Sequence, residues 1–112
     1  MQVKVLTNPR IEKHPGCVAK ALSIMGNKWT ALLIMELAVG ASRFSVLEDA
    51  LRGISPRTLS QRLDKLEQQK IITRKTYAEM PPRVEYELTA KGWDLIPILK
   101  SMAAWGDKYY RV

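Results

Sequence analysis

The stretch I-S-P-R-T-L-S-Q-R-L, Ile54 to Leu63, packs a helix start, an apolar seam and a row of polar side chains into ten residues. Gly53 turns the chain ahead of it. Ser55 is placed to cap, and Pro56 falls at the first helical position, where no amide donor is missed. These signals predict a helix running to about Gln69. On a wheel of roughly 100° per residue, Leu59, Leu63 and Leu66 fall within about 60° of one another. Arg57, Gln61 and Gln68 lie opposite, flanked by Thr58, Asp64 and Lys65. One side is core, and the other is offered outward.

Upstream, residues 1 to 16 show no helical period and contain Asn8, Pro9, Pro15 and Gly16, so they read as an arm, partly disordered, with the domain covering 17 to 112. Val18, Ala21, Leu22 and Met25 recur at helical spacing, and Gly26-Asn27 is expected to close that first helix through a left-handed residue. From Trp29 to Val39 the chain is apolar nearly all round, which predicts a helix buried on most sides and ended by Gly40, with Trp29, Leu32, Leu33 and Leu37 in the core. Ser45 and Glu48 have the spacing of a capping box, placing a third helix over about Val46 to Leu51.

Downstream the period changes to two. I-I-T-R-K-T-Y and R-V-E-Y-E-L read as strands, the second with Val84, Tyr86 and Leu88 on one face and Arg83, Glu85 and Glu87 on the other. A-E-M-P-P between them is a loop that its prolines keep out of the ladder, so the two form a projecting hairpin. Thr89 is expected to cap a last helix carrying Leu95, Ile96, Leu99, Met102, Ala103 and Trp105, kinked at Pro97.

Composition narrows what this order can do. The 112 residues hold 46% hydrophobic side chains, enough for one core, and a formal net charge of +7 favours polyanionic partners. No apolar run approaches the ~20 residues that span a bilayer, and the N-terminus lacks a signal peptide's apolar stretch, so a cytoplasmic protein without membrane association is expected. One cysteine and one histidine, His14, leave no thiol-rich or histidine-rich metal site, and no cofactor is expected. A nucleophile with a plausible base is also missing, which argues against an enzyme.

Helices followed by a two-stranded wing give the order of a winged helix-turn-helix, mostly α with a small antiparallel hairpin and an added C-terminal helix. Arg57, Thr58, Gln61, Arg62 and Lys65, behind Ser55 and Pro56, are the donors and acceptors that major-groove readout uses. Lys75 and Arg83 sit where the wing would meet backbone or minor groove. Between Ser55 and Lys75 six bases stand against Asp64 and Glu67, a local surplus of four positive charges. Any one of these residues could simply be a solvated surface group. A capped helix, a short helix before it, a basic hairpin and a positive field in one chain are harder to explain as solvation.

The sequence also resembles the HxlR-type transcriptional regulators, a branch close to the MarR regulators. The matching residues are Cys17, Gly26-Asn27-Lys28-Trp29, Arg43-Phe44, Ile54-Ser55 with Leu59 and Leu63, Pro82-Arg83-Val84-Glu85-Tyr86, Leu88-Thr89 with Gly92, and Trp105-Gly106. The resemblance implies a homodimeric winged-helix protein that binds a pseudo-palindromic site on double-stranded DNA and dimerises through its terminal helices. Leu99, Met102, Trp105 and Tyr109 are the candidates for that interface, unless they fold back on their own domain. In several members an N-terminal cysteine senses electrophiles or oxidants. Here Cys17 stands at a helix start with Lys20 one turn on, which favours the thiolate, but Val18 replaces the proline that many relatives place next. A redox or small-molecule effector is thus one reading, and a small packing residue is the other. The rival to sequence-specific DNA binding is a winged helix used as a protein-protein interaction module.

Overall fold

The computed structural model describes residues 15 to 111, so the expected arm falls almost wholly outside the described residues, as does His14. Within them the order is α1 (Pro15–Met25), α2 (Lys28–Leu37), α3 (Phe44–Ala50), α4 (Pro56–Gln68), β1 (Ile72–Tyr77), β2 (Arg83–Leu88), α5 (Ala90–Trp93) and α6 (Ile96–Tyr110). Leu33, Ile34, Leu37, Leu47, Leu59, Leu63, Leu66, Ile71 and Ile72 are buried in one core. The leucine seam of α4 enters it whole.

The corner between α1 and α2 differs from expectation. Gly26 is not left-handed. Its amide donates to Leu22 O at 2.7 Å, and a Cβ there would stand 2.5 Å from that oxygen, so glycine serves closeness here. Asn27 is extended and caps α2, its Oδ1 accepting from the Trp29 and Thr30 amides at 2.9 and 3.2 Å. Within α2 the buried set is Thr30, Leu33, Ile34 and Leu37. Leu32, expected in the core, is 43% exposed, and Trp29 is only half-buried. An apolar circumference has met a one-sided core.

No capping box forms at α3. Its N-cap is Arg43, which makes no side-chain cap bond, and Ser45 lies inside the first turn. The cause is the neighbouring sheet. Ser42 bridges Tyr86 by two backbone bonds, Ser42 N to Tyr86 O at 3.0 Å and Tyr86 N to Ser42 O at 2.8 Å, so the helix starts directly after the bridge. This one-residue third strand leaves no alternating pattern for a sequence reading to find.

At α4 the expected start is present: Ser55 Oγ accepts from the Thr58 amide at 3.1 Å, Pro56 opens the helix, and Gly53 takes a φ of +91°. The end has no glycine. Lys70 adopts φ +61°, and the Ile71 amide reaches back to Leu66 O at 2.9 Å, a Schellman closure built on a lysine. Three neighbouring carbonyls are then gripped from α5. Thr89 Oγ1 donates to Lys70 O (2.7 Å) and Ile71 O (3.1 Å), and Lys91 Nζ donates to Gln69 O at 2.8 Å. Gly92 permits this approach, because a Cβ there would collide with the Ile71 carbonyl oxygen.

β1 and β2 pair antiparallel with Ile72 opposite Leu88, Lys75 opposite Glu85 and Tyr77 opposite Arg83. The single kinked terminal helix is instead two helices. Thr89 caps α5, accepting from the Gly92 amide, and Pro97 stands in the first turn of α6, where its missing N–H has no helical partner to lose. No helix among the described residues is long and apolar enough to cross a membrane.

Candidate nucleic-acid interface

The outward face of α4 carries Arg57, Gln61, Lys65 and Gln68 exposed, with Thr58 and Arg62 half-buried beside them. Gln61, Arg62, Asp64, Lys65 and Gln68 line a shallow depression on this face. Ser55 is committed to the cap, and its hydroxyl also donates to Thr58 Oγ1 at 2.9 Å. That leaves the Thr58 hydroxyl proton to donate outward. Arg62 Nε is buried and makes no hydrogen bond among the described residues, which orients its guanidinium without satisfying it. Ion pairs among the described residues occur only on the wing. The cations of α4 have none.

The wing differs in this respect. Lys75 Nζ lies 2.6 Å from Glu87 Oε1, and that carboxylate, by its hydrogen bond first and its charge second, holds the ammonium's pKa above its usual value. Arg83 Nη1 lies 3.2 Å from Glu79, and its Nε approaches Glu85 at 3.4 Å as a charge contact without hydrogen-bond geometry. Its guanidinium also rests on the Tyr77 ring, 4.2 Å from the centroid. Both expected wing contacts to DNA are thus engaged inside the wing. The alternation of Arg83, Glu85 and Glu87 was visible in the sequence; that it would neutralise Lys75 depended on the register.

On α6, Leu99, expected at an intersubunit surface, is 5% exposed and belongs to its own chain's core. Met102, Trp105 and Tyr109 are exposed, as are Ile98, Tyr110 and, on α1, Val18 and Leu22. Trp105 packs at centroid distances of 5.4 and 5.6 Å from Tyr109 and Tyr110. Cys17 is exposed and lies within the first turn of α1. Among the described residues no group of His, Cys, Asp and Glu could hold a metal ion.

This fold and this pair of faces define a winged helix-turn-helix of the transcription-regulator class. The HxlR-like helix-turn-helix family matches residues 24 to 112, and the chain belongs to it. A Bacillus subtilis HTH-type transcriptional regulator designated YvaP is 41% identical over 90 residues, covering 80% of this chain and 83% of that one. A protein of Enterococcus faecalis assigned to the MarR family of transcriptional regulators superposes with a TM-score of 0.78 at 38% identity, covering 86% and 87% of the two chains. The redox regulator HypR in its oxidised form superposes with a TM-score of 0.79 at 35% identity, covering 85% of this chain and 98% of that one.

Proposed function

We propose that this regulator is a homodimer acting in the cytoplasm on a pseudo-palindromic DNA site, with α4 of each subunit in a major groove. The observation that carries the reading is the row Arg57, Thr58, Gln61, Arg62 and Lys65: mutually adjacent hydrogen-bonding groups on a helix whose other side is fixed in the core, with no acidic partner among the described residues. Arginine suits guanine O6 and N7, and glutamine suits adenine N6 and N7. Ser55 and Pro56 set the helix start from which the row projects. Lys75 contacts phosphate in this complex only by giving up Glu87, and Arg83 could do so only by giving up Glu79.

The dimer joins the exposed apolar surfaces of α1 and α6, through Met102, Trp105 and Tyr109. Leu99 supports that surface from below. Half-sites then lie about one helical turn, ~34 Å, apart or a small multiple of it. Selection of bound DNA from a random pool, with sedimentation of the free protein, tests both parts. A palindromic consensus bound by a dimer is expected. A monomer at micromolar concentration, or retention indifferent to competitor sequence, would refute the reading and favour the interaction-module alternative.

Regulation through Cys17 is the second part of the proposal, supported by its exposure and by the likeness to HypR. The Cys17 sulfur can add to an electrophile such as a quinone, forming a carbon–sulfur bond while its proton passes to the adduct. Alternatively the thiols of two subunits join, losing two electrons and two protons to hypochlorite, which is reduced to chloride and water. A Cys17→Ser protein should bind the selected DNA normally and ignore the oxidant. DNA binding that still responds in that variant excludes Cys17 as the sensor.

A further inference from the structure

The wing presents a chemistry that neither its paired cations nor α4 accounts for. Its tip, Ala78-Glu79-Met80-Pro81-Pro82, carries one charged group, and that group is neutralised by Arg83 3.2 Å away. Met80 stands 97% exposed between them, more exposed than any other large apolar side chain among the described residues. Pro81 and Pro82 follow it directly, and neither can donate a backbone hydrogen bond to a base or phosphate.

We propose that this tip enters the minor groove beside the α4 contact as an apolar wedge led by Met80, and that Arg83 is a positioning residue which cancels Glu79 in place of gripping a phosphate. The inference rests on the DNA-binding reading above and adds to it a second, apolar point of contact. The minor groove is ~6 Å wide, which an unbranched thioether on a narrow proline-stiffened loop can enter. Met and Pro are among the side chains that DNA-bending proteins press against base steps, and TA and CA/TG steps yield most easily. The ligand is therefore duplex DNA with a flexible pyrimidine–purine step flanking each major-groove half-site.

Electrostatics makes the arrangement of Glu79 and Arg83 necessary. A carboxylate next to Met80 would be driven out of a groove of strongly negative potential. Arg83 is well placed to prevent this: Tyr77, its direct partner across the ladder, lies under the guanidinium, and Glu85 holds the far side. Its side chain is 29% exposed, against 52% for Lys75, so the ring and the two carboxylates keep it in the wing.

The test uses the full-length protein and the DNA it selects. Met80→Ala should lower affinity about tenfold, the scale of partly burying a methionine, and erase preference for TA or CA/TG at the flank while base preferences under α4 persist. 2-Aminopurine placed at the flanking step should brighten with the wild type and stay dim with Met80→Ala. Arg83→Gln should weaken binding, and adding Glu79→Gln should restore it. Thermal melts of these loop variants report whether they fold. Unchanged affinity and a silent 2-aminopurine in the presence of tight wild-type binding would overturn the wedge and leave the α4 reading intact. A Glu79→Gln protein that binds more tightly, with no rescue of Arg83→Gln, would make Arg83 a phosphate ligand after all. Failure of the wild type to select any DNA would overturn both.

Discussion

α4 and the wing each present cations to solvent, yet they handle them in opposite ways. On a helix, a partner must sit three or four residues away. Around Lys65 those places hold Gln61, Arg62, Gln68 and Gln69, and around Arg57 they hold Gly53, Ile54, Ser60 and Gln61. Glutamine or a neutral residue stands almost everywhere an acid could have gone, so the field of α4 reaches outward. On the hairpin, the antiparallel register carries Glu87 diagonally across to Lys75 and leaves Glu85 two residues from Arg83. There the field closes on itself. Among the described residues, one region leaves its cations unpaired toward solvent, and the other pairs them within its own hairpin.

The largest effect that tests this contrast is structural. Leu63→Ala removes a side chain only 1% exposed from the seam that fixes α4. A loss of about 2–5 kcal/mol in denaturant unfolding is expected, and DNA binding should fall with it. If the recognition face survived this cavity with stability unchanged, the helix would be held by something other than its leucines. Next in size, Arg57→Ala and Gln61→Ala should each cost about 1–3 kcal/mol of discrimination between selected and mismatched DNA. Equal weakening on all sequences would demote them to backbone contacts. A smaller effect of opposite sign is expected from Glu87→Gln: it releases Lys75, so affinity should rise severalfold and the dependence of binding on salt should steepen. A flat response would mean that Lys75 does not reach DNA even when free. The smallest change lies at the joint between the two regions, where Lys70→Gly should add about 0.5 kcal/mol to stability by relieving a left-handed lysine, less the glycine's extra entropy in the unfolded chain.

What could be read from the residues was whatever local chemistry determines. Ser55, Pro56 and the leucine seam specify α4 without help from the rest of the fold, and period-two alternation specifies β2. The errors share a different cause. Ser45 has a capping spacing, but the Ser42–Tyr86 bridge decided where α3 begins. Hydrophobicity alone puts Leu32 in the core and Leu99 at a surface between subunits, yet the direction of the core relative to α2 and α6 leaves the first outside and the second inside. Pro97 marks the start of a helix and not a kink within one, because the break before it already separates two helices. The polar row of α4 was legible in the same way as the helix itself. The pairing of Lys75 and Arg83 was not, since alternation places charges on a face but only the strand register says which of them meet.

The carbonyls of Gln69, Lys70 and Ile71, held by Thr89 and Lys91, have a mechanical consequence. Those carbonyls are the elbow between α4 and the hairpin, and the residues that hold them open the segment leading into α6. Only Asp94 and Leu95 intervene, and the Leu95 amide is itself tied back to Gly92 O at 3.0 Å. No slack loop is available to absorb torque. α6 is therefore joined to the elbow as a tiller is to its post, through hydrogen-bonded chain with no free linker between them.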